Sequence, residues 1–152
     1  MYIDTNVFAY AIENHPKYGK SCTRILSDIQ QKKIEAACSV LVLAELINVL
    51  VKMNKALSSK GEKKLVIADN ISAVLSLPIV WIDLDIRIIE SASAYDYPVN
   101  GVDYVHIASM NENSISEILS ADRELDRVKS ITRMDPVDYK EYIPVERKRY
   151  GV

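Results

Sequence analysis

The sequence predicts an α/β protein, a three-layer α/β/α sandwich built around a short, mostly parallel central sheet. Three observations carry that prediction. Short apolar runs rich in strand formers, at Met1 to Ile3, Ile34 to Cys38, Ile79 to Ile82 and Ser116 to Leu119, alternate with segments whose apolar residues recur at helical spacing. The run Ile79-Val80-Trp81-Ile82 is apolar on successive positions, as expected of a strand covered on both faces. No internal repeat or linker interrupts the alternation, which argues for one parallel sheet with helical crossovers.

Taken in order, Met1-Tyr2-Ile3 is an apolar start that runs into Asp4-Thr5-Asn6, and a short helix follows from Val7 to Ile12. Asn14-His15-Pro16 breaks the chain. Lys17 to Lys33 then places Cys22, Ile25, Leu26 and Ile29 at helical spacing. After the strand at Ile34 to Cys38, Ser39 reads as the cap of a helix from Val40 to about Asn54. That helix is apolar at nearly every position except Glu45 and Asn48, which predicts burial all round. Ser58 reads as the cap of a further helix reaching Leu77. The strand Ile79 to Ile82 ends in Asp83-Leu84-Asp85, a helix runs on to about Tyr97, and Pro98 to Gly101 forms a turn. Val102, Val105-His106-Ile107 and Met110 mark the next helix, with Asp103 in its first turn. Ser116 to Leu119 is a strand that leaves through Ser120-Ala121-Asp122, Arg123 to Val128 is a short helix, and Ile131 to Met134 is an edge strand.

At 152 residues, the chain is expected to hold one core, in a domain over residues 1–135. Residues 136–152 read as a basic extension packed on that domain or on a partner. The apolar fraction of 49% contains no run near the ~20 residues of a membrane span, so no membrane association is expected. The amino terminus lacks a basic segment followed by a long apolar one, which predicts a cytoplasmic protein. Cys22 and Cys38 lack metal-ligand or redox spacing and read as buried thiols in a reducing compartment.

Several chemistries are excluded. Four scattered glycines cannot build a phosphate-cradling loop, so dinucleotide and P-loop readings fall away. Two distant histidines and the lack of a Gly-x-Ser-x-Gly elbow argue against an imidazole-built zinc site or a serine hydrolase. Carboxylates are left to do any chemistry.

Asp4 leaves a strand, and in open parallel sheets ligands bind at the carboxyl edge of the strands. Alone it reads as a helix cap. Glu45 is harder to assign to structure, because an ionised carboxylate on an apolar helix costs several kcal/mol unless it is paired or bound to a cation. Lys52, two turns away, is a poor partner. Asp103 suits the helix dipole, and Asp122 leaves a strand as Asp4 does. These four can converge on one sheet edge, where their repulsion is tolerable chiefly with divalent cations. An all-oxygen ligand set selects hard ions, implying Mg²⁺ with Mn²⁺ able to substitute.

The stretches Ile3-Asp4-Thr5-Asn6-Val7, Ser39 to Leu46 around Glu45, Val102-Asp103-Tyr104-Val105-His106-Ile107-Ala108 and Ser120-Ala121-Asp122-Arg123-Glu124-Leu125-Asp126 resemble, in order, the acidic motifs of PIN-domain nucleases. Among these the chain looks most like the VapC toxins of toxin-antitoxin pairs. The resemblance spans about residues 1–135. It implies a PIN-like fold and a metal-dependent endoribonuclease in which Asp4, Glu45, Asp103 and Asp122 are the catalytic and metal-binding acids. It further implies supporting roles for Asp126 and for the small polar residues Thr5, Asn6 and Ser120, products with a 5′-phosphate and a 3′-hydroxyl, an RNA substrate, an antitoxin partner and a homodimer. Leu125 departs from the pattern, standing where an aromatic is frequent, and the tail beyond Pro136 is longer and more basic.

A formal charge of −2 is unusual for a nucleic-acid binder. Masking four acids with cations leaves a positive chain, and Lys52, Lys55, Lys60, Lys63, Lys64, Arg123, Arg127, Lys129 and Arg147 to Arg149 can offer local stripes to phosphate. The competing readings are a housekeeping RNA-processing nuclease, an inactive RNA- or protein-binding relative, and phosphotransfer chemistry on Asp83-Leu84-Asp85. The last lacks the Thr/Ser and Lys motifs it needs, so Asp83 and Asp85 read as strand-end and cap residues. His106 reads as a hydrogen-bonded core histidine, although three residues from Asp103 it can approach the same edge.

Overall fold

A computed structural model of the protein describes residues 1–139. Five strands form one parallel sheet: β1 (Tyr2–Ile3), β2 (Ala36–Ser39), β3 (Ile79–Ile82), β4 (Glu117–Leu119) and β5 (Thr132–Met134), in the spatial order β3-β2-β1-β4-β5. Six helices flank it: α1 (Thr5–Ile12), α2 (Gly19–Gln30), α3 (Leu41–Ser59), α4 (Ile67–Leu75), α5 (Ile86–Ser93) and α6 (Gly101–Glu112). The predicted three-layer α/β/α sandwich is what the chain forms.

The strand order explains the layers. From β1 the chain moves outward to β2 and β3, then returns past β1 to β4 and β5. Right-handed crossovers therefore put α1 to α4 on one face, and α5 with α6 on the other. The outward helices pack on one another, α1 against both α2 and α3, while α5 packs on α6. The shared interior contains Tyr2, Ile3, Phe8, Ile25, Ile29, Leu46, Leu50, Ile107, Met110 and Leu119, all fully enclosed.

This topology aims helix starts at one edge. Asp4 and Val40 are the residues before α1 and α3, directly beyond the carboxyl ends of β1 and β2. Only residues 113–116 connect α6 to the start of β4, so the other end of α6, where Asp103 lies, stands at the carboxyl edge of the sheet.

The structure corrects four local expectations. The helix expected to end near Asn54 continues to Ser59, and it is buried along only one side. Val42, Leu46 and Leu50, four residues apart, are enclosed, while Ile47 and Val51 are 41% and 38% exposed, because an outer-layer helix turns one stripe to the sheet. Ser58 lies inside that helix rather than capping another. The break falls at Gly61, whose φ of +70° is left-handed backbone that favours glycine, and α4 starts only at Ile67. Strand β3 is an edge strand with Val80 67% exposed, not one covered on both faces. The helix expected to reach Tyr97 stops at Ser93. Of the expected extension over 136–152, Tyr139 packs on the body and donates its hydroxyl to Asp28 Oδ2 at 2.9 Å, whereas 140–152 lie outside the described residues. No helix among the described residues is long and apolar enough to cross a membrane.

Candidate active site

Asp4 extends the pairing of the two central strands, its N–H donating to Leu119 O at 3.1 Å. Its carboxylate accepts three hydrogen bonds. Oδ1 accepts from Thr5 N at 2.7 Å, and Oδ2 accepts from Asn6 Nδ2 at 2.6 Å and from the Ser120 hydroxyl at 2.5 Å. Thr5, Asn6 and Ser120 thus do different work. Asn6 also accepts from Ala121 N at 3.1 Å, and Ser120 Oγ accepts from Asp122 N at 3.0 Å, so the segment leaving β1 is stitched to the segment leaving β4. Asp122 in turn starts the 3-10 helix Arg123–Arg127 by accepting from Glu124 N at 2.9 Å.

Glu45 reaches this edge from α3. Its Oε2 accepts from Thr5 Oγ1 at 2.5 Å and lies 2.8 Å from His106 Nε2. The partners of Glu45 are therefore an imidazole and a hydroxyl. Asp103 arrives from the first turn of α6, beyond the cap in which Asn100 Oδ1 accepts from Val102 N and Asp103 N. Asp103 Oδ2 is buried and has no hydrogen-bond partner among the described residues.

The electrostatics separate these acids. Burial raises the Asp4 carboxyl, the Ser120 hydroxyl, His106 and Thr5 N–H oppose that, the charge of Glu45 adds to it, and the net direction is up. Burial followed by the charges of Asp4 and Asp122 pushes Asp103 up to about 6. Burial alone would raise Glu45 too, but the hydrogen bond and charge of His106, with the Thr5 hydroxyl, hold it below its ordinary value. Burial disfavours a charged His106, and the hydrogen bond and charge of Glu45, then the charges of Asp4 and Asp103, reverse this to a net rise.

The structure thus brings Asp4, Glu45, Asp103 and Asp122 to one edge, with Thr5, Asn6 and Ser120 between them. Asp126 is joined to that edge through one intervening side chain, Arg133. Asp126 is exposed and forms a two-point ion pair with Arg133, at 2.7 and 3.0 Å. Arg133 was not anticipated. It also donates to Ser120 O at 2.8 Å, buttressing the turn that carries Ser120. Tyr2 was not anticipated either, since an apolar strand gives no sign that its hydroxyl has partners.

The donor set fits a hard divalent cation. An anionic oxygen buried without a donor, in a carboxylate whose proton affinity burial and two neighbouring acids raise, lacks a positive partner among the described residues. Among the described residues, no three His, Cys, Asp or Glu side chains already stand together as a ligand group.

A parallel α/β sheet with acids from β1, α3, α6 and the turn after β4 converging on its carboxyl edge defines a class of acidic-site α/β proteins. The chain belongs to the PIN domain family, whose model matches residues 1–131. No curated protein matches it by sequence. Among solved structures, it is similar to a chain in the crystal structure of VapBC2 from Rickettsia felis bound to a promoter DNA fragment, with 18% identity and a TM-score of 0.61, covering 88% of this chain and 96% of that one. It is also similar to VapC20 of Mycobacterium tuberculosis, described as a sarcin-ricin loop cleaving toxin, at 17% identity and TM-score 0.59 over 77% and 85% of the two chains. A toxin-antitoxin complex from Klebsiella pneumoniae gives 13% identity and TM-score 0.58 over 89% and 96%. At these identities the likeness is one of fold.

Proposed function

We propose that the protein is a Mg²⁺- or Mn²⁺-dependent endoribonuclease, the toxin of a VapBC-type pair. The observation that carries this reading is the buried, unpartnered Asp103 Oδ2 within reach of the charges of Asp4 and Asp122. The fold shared with proteins of such pairs, one of them described as a sarcin-ricin loop cleaving toxin, supports RNA as substrate and a protein antitoxin as partner.

Asp4, Glu45 and Asp103 would hold the principal ion, and Asp122 a second ion or the attacking water. The ion supplies charge neutralisation at the scissile phosphate and a more acidic water. The chain supplies orientation. Asn6 and Ser120 fix the Asp4 carboxylate, while Thr5 and His106 fix that of Glu45, so little reorganisation is needed when substrate arrives. The exposed Arg123, Arg127 and Lys129, on the segment following Asp122, offer cations to the phosphates that flank the cut. The products of this reading carry a 5′-phosphate and a 3′-hydroxyl.

Purified protein freed of any inhibitor should cut structured RNA with Mg²⁺ or Mn²⁺, stop with chelator, and lose cutting in Asp4→Asn or Glu45→Gln while circular dichroism stays native. Cutting that survives both substitutions removes the assignment. Growth arrest on expression that the same substitutions relieve, together with an adjacent open reading frame for a DNA-binding antitoxin, separates a toxin from a housekeeping nuclease. Sedimentation tests the homodimer.

A further inference from the structure

We propose that Tyr2 and His106 form a positioning relay that selects which oxygen of Glu45 is offered to the cation, an inference that rests on the nuclease reading for its purpose but not for its geometry. The relay starts in the backbone. Ser39 N–H donates to the Tyr2 phenol oxygen at 3.0 Å. Tyr2 is fully enclosed, so its hydroxyl proton has to be met within the protein. That proton needs an acceptor, and His106 Nδ1 stands 2.7 Å away.

A ring nitrogen that accepts cannot also carry the ring proton. In the neutral ring, the tautomer that accepts from Tyr2 carries its proton on Nε2, which lies 2.8 Å from Glu45 Oε2. Thr5 Oγ1 donates to the same oxygen at 2.5 Å. Both donors thus converge on Oε2, and Oε1 accepts no hydrogen bond from the described residues. The carboxylate is gripped by one oxygen and presents the other.

The path also closes on itself. Ser39 ends β2, and Glu45 lies six residues later on α3, so the relay leaves the β2–α3 unit through Tyr2 of β1, crosses to α6 and returns to α3. His106 is 4% exposed and Tyr2 is in edge contact with its ring, with centroids 5.8 Å apart, so neither can swing aside without opening the core. His106 acts through Glu45 and is a positioning residue.

Long-range proton-nitrogen NMR of the metal-free, imidazole-labelled full chain at mildly alkaline pH reads the arrangement directly. The expected spectrum for His106 shows a protonated Nε2 and a bare Nδ1, and Tyr2→Phe should mix the two tautomers. A proton on Nδ1 overturns the relay, and so does a ring protonated on both nitrogens, which would strand the Tyr2 hydroxyl proton. Mn²⁺ binding followed by electron paramagnetic resonance tests the consequence. His106→Leu should weaken binding by about 10- to 100-fold, as loss of a buttress to a ligand does elsewhere, and His106→Gln, which keeps an N–H near the Nε2 position, should restore most of it. Leu and Gln variants that bind equally well overturn the relay. The expected tautomer in a protein that cuts no RNA strikes the nuclease reading instead, so the two failures are distinguishable.

Discussion

Asp4 leaves the central strand β1 and Asp85 leaves the segment after the edge strand β3, each following an apolar run, and the fold gives them opposite environments. Asp85 is 44% exposed, caps α5 by accepting from Ile88 N at 3.0 Å, pairs with Arg87 at 2.8 Å, and its hydrogen bond to Arg87 holds its carboxyl below the ordinary value. Asp4 is also a cap, accepting from Thr5 N, yet burial and Glu45 raise its carboxyl, and its second oxygen is taken by Asn6 and Ser120. The difference teaches that position in the sheet, not local sequence, brings a capping aspartate into a cluster of acids. A central strand has neighbours on both sides that deliver further acids, whereas the end of an edge strand meets solvent.

The largest expected effect separates the two ends by activity. Asp103→Asn, which keeps the shape and removes the charge next to Asp4, should lower RNA cleavage by roughly 1000-fold, the scale of losing one fixed electrostatic stabiliser. Asp85→Asn should leave cleavage within about twofold and lower the unfolding midpoint only slightly. Equal losses in both would break the comparison.

Cation binding comes next. Mn²⁺ at about 100 times its dissociation constant should stabilise the wild type by ~2.7 kcal/mol in thermal melts, and should do nothing for Asp103→Asn. The same stabilisation in both proteins would place the ion elsewhere.

A smaller, pH-dependent effect follows from Asp103. Its carboxyl rises from 3.8 in the unfolded chain to about 6 in the folded one, so the folded state binds more protons between those values. Stability from this group therefore falls as pH rises through that window and stays low above it. Metal-free Asp103→Asn should melt like the wild type below pH 3.8 and a few degrees higher above pH 6. A gap that closes as pH rises would reverse the sign and sink the account.

The smallest effect concerns Asp126. Its half-exposed pair with Arg133 predicts that Asp126→Asn costs about 0.5 kcal/mol in denaturant unfolding and leaves cleavage within about twofold. A loss of cleavage comparable to that of Asp103→Asn would move Asp126 into the site.

How much of this was legible varied by element. The strands at Ile34 to Cys38 and Ser116 to Leu119 could be read because buried parallel strands leave short, continuous apolar runs, and Ile79 to Ile82 shows the same run although Val80 of that edge strand is exposed. The exposed stripe of α3 could not, since Ile47 and Val51 are as apolar as Leu46 and Leu50, and only packing tells them apart. At the site, Glu45 announced itself by the cost of a charge on an apolar helix. His106 showed only its spacing from Asp103, and Tyr2 and Arg133 gave no signal, because their roles consist of hydrogen bonds to residues distant in the chain.

The amino-acid sequence by itself determined the alternation of strands and helices, the poverty in glycine and histidine that leaves chemistry to carboxylates, and the acids at strand and helix ends. Those are properties of local pattern and composition. Tertiary structure alone decided that β1 lies at the centre and β3 at the edge, that Asp126 meets Arg133 and through it the turn carrying Ser120, and that Ser39, Tyr2, His106 and Glu45 form one chain of hydrogen bonds. Strand order and long-range hydrogen bonding depend on which segments meet in space, and a burial pattern read along one chain does not encode its neighbours.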